Sequence, residues 1–341
     1  MRWSGIRWSV LVAIVPLPAL GQGPEPHLVQ VQMRNVDFHI DSTIVMAIDF
    51  ARGQLRRRVA DQPAYLDDKR SFVLQLDSAR IGVTPAALSQ LLNRYTFAYP
   101  GSPLRGLTIT IEHGRIRQHG RMRGISFDVL GDLSLTPEGE LRLHPADIKA
   151  VGIKVGGLMK FFGLNLEKLV NTDRAKGVRI VGDDFLLSPT RLLPSPAVEG
   201  RVGRVEVTDS QIVQIFQPGQ GRADDPLRLP IPKAQNYMFF RGGVLRFGKL
   251  TMDDTDLFIE DADPGDRFDF WLDRYNDQLV EGRSRNTRDH GLIVEMPDFD
   301  KLKRGGGRVA FLHPAGDIAA PDRGVSLIRP SSARTGRSRV L

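Results

Sequence analysis

Alternation of apolar and polar side chains along residues 28–59 is what most limits how this chain can fold. Successive side chains of a strand point to opposite faces, so a period of two gives one face to a core and the other to solvent. On this ground His27–Met33, Val36–Ile40 and Thr43–Phe50 read as strands, interrupted at Gly53 and at Arg56-Arg57-Arg58. Ser71–Leu76 is a further β-patterned run.

A helix follows. Thr84 is placed to cap it and Pro85 to be its first residue, and Leu88, Leu91, Leu92 and Tyr95 recur at helical spacing to give one apolar face. It is expected to end before Pro100-Gly101. The next strands read as a meander: Leu107–Glu112, Arg115–Gln118, Ile125–Leu130, Asp132–Leu135 and Leu141–Leu143. Gly114, His119-Gly120, Gly131 and Pro137-Glu138-Gly139 punctuate it as turns. Residues 156–170 read as a second helix, apolar around most of its circumference through Leu158, Met159, Phe161, Phe162, Leu164, Leu166 and Leu169. Such a helix is either covered on several sides by a packed core or lines an apolar cavity. Residues 177–193 and 201–215 return to strands, Pro218–Ala234 is a Pro/Gly-rich loop, Tyr237–Ile259 is β again, and Phe268–Leu279 looks helical. This order indicates an α+β fold with a mostly antiparallel sheet and an additional β-rich C-terminal region.

The N-terminus reads as a secretory signal peptide over residues 1–21. Arg2 and Arg7 lead into the apolar stretch Trp8–Leu20, and Ala19-Leu20-Gly21 offers small residues for cleavage before Gln22. Retention as an N-terminal anchor is the alternative, although the run is short of the about 20 residues a membrane-spanning helix needs. The protein is therefore expected in the periplasm or on the extracytoplasmic face of the cell envelope. Cysteine is absent, which excludes disulfides, thiol catalysis, thiolate metal sites and lipoprotein acylation. The net charge of +7 resides in residues 301–341, where nine basic residues face only Asp317 and Asp322. Their Gly, Pro, Ser and Arg composition reads as a basic disordered tail, with anionic lipid as its candidate partner; export argues against nucleic acid. The domains expected are thus residues 1–21, 22–216, 217–300 and 301–341.

No catalytic motif emerges. G-x-S-x-G, H-E-x-x-H, the P-loop and the dinucleotide fingerprint are all missing. The seven histidines include no pair at i, i+4. His113 and His119 flank a strand and read as turn residues rather than metal ligands. The acidic residues of 253–266 suggest a calcium loop only loosely, since no Glu closes it at the twelfth position. Neither an enzyme, a metal site nor a cofactor is expected. Arg115, Arg117, Arg121 and Arg123 form a basic cluster. They share one face if the strand is continuous, or lie on neighbouring strands if His119-Gly120 turns the chain. Either way a positive patch suited to phosphate head groups is expected.

Several motifs belong together. Pro103-Leu104-Arg105-Gly106-Leu107, Gly139-Glu140-Leu141-Arg142-Leu143, Ile148-Lys149-Ala150-Val151-Gly152-Ile153, Gly163-Leu164-Asn165-Leu166 and Lys176-Gly177-Val178-Arg179 precede Asp183-Asp184-Phe185-Leu186-Leu187-Ser188-Pro189-Thr190-Arg191-Leu192-Leu193-Pro194. Through these the stretch Leu104–Phe216 resembles the LmeA-like family of exported lipid-binding proteins, related to the tubular lipid-binding superfamily. The resemblance covers roughly a third of the chain, rests on structural Gly, Pro and apolar patterns, and stops near Gln217. It implies a long sheet wrapped around one or two amphipathic helices, with an apolar groove that takes up acyl chains.

The expected function is therefore binding or transfer of phospholipid or another acyl lipid, with a membrane surface as a further contact. Leu88, Leu91, Leu92, Tyr95, Leu158, Phe161, Phe162, Leu166 and Leu169 are the expected groove residues. The alternative is a non-catalytic envelope assembly factor that offers exposed strand edges to a partner protein.

Overall fold

The computed structural model describes residues 28–150, 174–218 and 226–302. Its spine is three long strands, β1 (Leu28–Asp41), β2 (Ile44–Arg57) and β4 (Phe72–Val83), paired antiparallel in the order β1-β2-β4. The β1–β2 turn is set by Asp41, whose Oδ1 accepts the backbone N–H groups of Thr43 at 2.7 Å and Ile44 at 3.0 Å. Inward side chains alternate as the sequence requires: Val29, Val31 and Met33, then Val36, Phe38 and Ile40. The alternation slips by one residue at Asn35, whose φ is 48°, and β2 slips at the same level around Asp49. Two matched irregularities keep the apolar face inward on both strands. They also explain why the sequence reads as two short strands where one continuous β1 exists.

Both edges of the spine fork. The first half of β1 pairs antiparallel with β14 (Tyr237–Arg241), and its second half pairs parallel with β18 (Phe268–Trp271). β4 pairs parallel with β11 (Ala197–Glu199) at its start and antiparallel with β13 (Ile212–Gln217) at its end. β12 (Arg201–Val207) continues the sheet on one side. β17 (Asp256–Asp261), β20 (Leu292–Met296) and β19 (Arg283–Asn286) continue it on the other, giving 11 strands. A second sheet of six strands runs β5 (Leu104–Glu112), β6 (Arg115–Met122), β7 (Ile125–Leu135), β8 (Leu141–Ala150), β10 (Asp184–Leu187), β9 (Val178–Val181). A three-stranded ribbon joins β16 (Leu250–Met252), β15 (Leu245–Phe247) and β3 (Ala64–Tyr65).

One core fills the inner face of the large sheet and is completed by Phe268, Phe270 and Tyr275. A second lies against the six-stranded sheet. Helix α1 (Pro85–Leu91) stands between them, with Leu91 in the first core and Leu88 in the second. A third, small cluster buries the opposite face of β14, β17 and β20 under Leu227, Leu229 and Ile231. This is the α+β, β-rich architecture expected, with the long sheet curled over a helix.

Several details correct the expectations. His119-Gly120 and Gly131 are not turns but lie within β6 and β7, with a register irregularity at Gly131. Phe268–Leu279 is not one helix. Phe268–Trp271 is a strand, because Phe268 and Phe270 alternate into the core, and α3 (Tyr275–Glu281) follows it. The large sheet and the first core run across position 217, since β14, β17 and β20 extend the sheet that β1 begins. Lys301 and Leu302, placed in the expected tail, still belong to the described fold. Residues 1–27, the second helix over 156–170 and the rest of the tail lie outside the described residues.

Candidate functional site

Helix α1 is fixed at its start by the Thr84 hydroxyl, which accepts the Ala87 N–H at 3.2 Å. After Leu91 the backbone loosens into a π-helical segment, Leu92–Thr96. A polar row at positions 89 and 93, unmarked in the sequence reading, stitches this element to β5. The Ser89 hydroxyl donates to the Pro85 carbonyl at 2.7 Å and accepts the Ile109 N–H at 2.8 Å. Asn93 donates to the Leu107 carbonyl at 2.6 Å and accepts the Leu107 N–H at 2.9 Å. Leu107 sits in an irregularity of the β5–β6 pairing, so Asn93 serves as its missing strand partner. A polar residue repeated at i+4 on an apolar helix was the available signal.

The helix thereby holds Leu88, Leu91 and Leu92 against unfilled space between the sheets. One cavity there has a volume of about 60 Å³, in a wider interatomic space of about 890 Å³ that includes its solvent-open part. The inner faces of β1, β2 and β4 line it, together with Leu88, Leu91, Leu141 and residues of the short helix α2 (Pro189–Leu192). Thr190 and Gln214 are the polar members of its described lining. A second cavity of about 30 Å³ lies on the other side of α1, lined by Leu88, Leu92, Phe97, Ile109 and their neighbours, with Gln118 as its polar member. Leu88, Leu141 and Ile212 border both, so the two are chambers of one apolar seam.

Tyr95 lies elsewhere. Its hydroxyl donates to Asp41 Oδ2 at 2.8 Å and ties the end of the helix to the β1–β2 turn. Burial works to raise the Asp41 carboxyl, yet the Thr43 N–H, the Tyr95 and Thr43 hydroxyls and Arg94 together hold it below the ordinary carboxylate range. Burial and the Asp41 charge push the Tyr95 hydroxyl up. Leu158, Phe161, Phe162, Leu166 and Leu169 lie outside the described residues.

The basic cluster divides. β6 is continuous, so Arg115, Arg117 and Arg121 share its outer face. Arg115 grips Asp132 with both arms, at 2.8 and 3.1 Å, and Arg117 is held between Glu112 and Asp128. These carboxylates neutralise that half of the expected positive patch. Arg121 and Arg123 remain exposed. The acidic run sends Asp261 and Asp266 beside Asp298, with carboxylate oxygens within 4.8 Å of one another. Asp298 is already engaged by Lys301 at 2.8 Å and by the Asp269 N–H at 3.1 Å, and Asp261 by the Asp263 N–H at 2.8 Å. Asp298 thus ties the end of the described chain to β18, and Lys301 ties it to Asp263 at 2.6 Å. No helix among the described residues is long and apolar enough to cross a membrane.

Compared with family models, with curated proteins and with solved structures, the chain finds no match.

Proposed function

We propose that the seam around α1 takes up the acyl chains of a lipid, and that the protein is an extracytoplasmic lipid-binding or lipid-transfer protein. One observation carries the reading: the chain leaves a two-chambered, almost wholly apolar space at the junction of its two sheets. Interiors are ordinarily packed as densely as organic crystals. An apolar cavity that persists stays dry and favours apolar contents, because each Å² of apolar area removed from water contributes about 25 cal/mol. The volume of about 60 Å³ is smaller than an acyl chain. Uptake of a chain requires the sheets to part along α1 and α2. The signal-peptide pattern of residues 1–21 and the resemblance of Leu104–Phe216 to exported lipid-binding proteins support the setting.

The test is binding of a fluorescent fatty acid, alongside native mass spectrometry of the purified chain for retained lipid. Leu141→Ala joins the chambers by removing a shared wall and should increase uptake per folded molecule, at a stability cost of about 2–5 kcal/mol. Leu88→Phe fills the junction and should reduce uptake. A parent protein that retains no lipid and binds no fatty acid, with Leu141→Ala only less stable, would show the seam to be an imperfectly packed core.

A further inference from the structure

The outer face of the six-stranded sheet carries its charge in two unlike halves. In one half each arginine has a carboxylate: Arg115 with Asp132, Arg117 with Glu112 and Asp128, Arg142 with Asp184, Arg179 with Glu140. In the other, Arg105, Arg121 and Arg123 are exposed, and among the described residues no side chain pairs with them.

Backbone register gathers these three. Arg105 stands directly opposite Arg121 in the β5–β6 pair. Arg123 follows two residues later at the hairpin tip, where its N–H donates to the Pro103 carbonyl at 2.8 Å and keeps it beside the start of β5. Arg123 has φ 49°, a conformation costly for a side chain of this kind. Like charges directly opposite across a ladder are destabilising, and nothing in the described chain offsets them. The backbone beside them is uncrowded: a Cβ built on the neighbouring Gly106 or Gly124 would meet nothing within 4 Å. Among the described residues, the exposed large apolar side chains Phe50, Val59, Val181 and Leu250 belong to other elements, so the described patch suits contact with a charged surface rather than insertion.

We propose that Arg105, Arg121 and Arg123 form a docking face for the phosphate head groups of an anionic bilayer. Guanidinium groups bind phosphate oxygens in pairs, and a plane of phosphates turns the mutual repulsion of three arginines into a shared attraction. The inference deepens the reading of the apolar seam, because an acyl lipid must be exchanged with such a surface, but docking and uptake are measured separately.

The experiment is co-sedimentation of the full chain with vesicles of phosphatidylglycerol and phosphatidylcholine, against phosphatidylcholine alone. Three proteins are compared: the parent; Arg105→Gln/Arg121→Gln/Arg123→Asn, with Asn chosen for its tolerance of positive φ; and Arg115→Gln/Arg117→Gln/Arg142→Gln, which removes the same charge from the paired half. The basic C-terminal residues contribute equally to all three. The first variant should lose on the order of a hundredfold in partitioning to anionic vesicles, the second should stay near the parent, and added salt should erase the difference. The first variant should melt no lower than the parent; Arg105→Gln alone serves if the triple variant misfolds. Undiminished binding by the first variant, or equal losses in both, would overturn the docking face. So would competition by inorganic phosphate at constant ionic strength, which would assign the patch to a free anion. Lost docking with normal fatty-acid uptake supports both readings, whereas intact arginine-dependent docking without uptake in any protein would remove the seam and leave the docking face.

Discussion

Gly53 on β2 lies against the Gln75 carbonyl on β4 so closely that a Cβ at position 53 would overlap the carbonyl oxygen and stand 3.0 Å from its carbon. Here β2 and β4 change register, and the missing side chain lets the two backbones meet. Gly53→Ala must push the strands apart at the centre of the spine. The expected cost is about 1–3 kcal/mol, a fall of roughly 2–4 °C in thermal midpoint per kcal/mol for a chain of this size. An unchanged midpoint would mean that the register change relaxes freely.

Asn93 substitutes for a strand at Leu107, which is 2% exposed. Asn93→Ala leaves a buried N–H and carbonyl without partners, an expected loss of about 2–3 kcal/mol in denaturant unfolding. Hydrogen exchange at the Leu107 amide gives the site-specific readout: it should accelerate far more than at Ile116 on the next strand.

The Asp41 carboxyl is held below its ordinary range in the folded state, so it contributes stability at pH values above the unfolded carboxylate pKa of about 4. That contribution is lost as pH falls through the depressed folded value. Tyr95→Phe removes one of its hydrogen bonds. The Asp41 titration, followed by NMR of its side-chain carbon, should move upward, and the acid-unfolding midpoint should move to higher pH. No change in either would show that Thr43 and Arg94 suffice.

Asp261 behaves oppositely. Burial pushes its carboxyl up to about 6, against the pull of the Asp263 N–H. A raised carboxyl favours the folded state while protonated, so its stabilisation is complete below pH about 4 and is lost as pH rises through about 6. Asp261→Asn keeps a neutral group at every pH. It should stabilise the protein by on the order of 1–2 kcal/mol at pH 7.5 and by little at pH 4. An equal effect at both pH values would refute the titration.

The spine was legible because two-residue alternation depends only on local sequence. Its irregularities were not: Asn35 looks like a strand end and Asp49 like the inside of a regular strand until β1, β2 and β4 are seen side by side. The Phe268–Trp271 strand was hidden because Leu272, Tyr275 and Leu279 nearby suit helical spacing, and a four-residue strand carries little signal. Among the site residues, Leu88, Leu91 and Leu92 do face the seam, since an apolar helical face must point at other apolar groups. Tyr95 shares that face by spacing, but the looser π-helical winding rotates it toward Asp41. The arginines could be located on a strand, yet which of them are neutralised depends on Asp128 and Asp132 arriving from β7, a matter of register.

The forked edges have a consequence for biogenesis. β1 leaves the ribosome first, but its edge partners β14 and β18 begin at Tyr237 and Phe268. At about 5–20 residues per second, roughly 10–40 s separate the strand from the segments that cover it. β4 waits likewise for β11 and β13. Through that interval the nascent three-stranded sheet has unpaired hydrogen-bonding groups along both flanks and an apolar face with nothing on it, the kind of surface on which chains stick to one another and which holding chaperones shield.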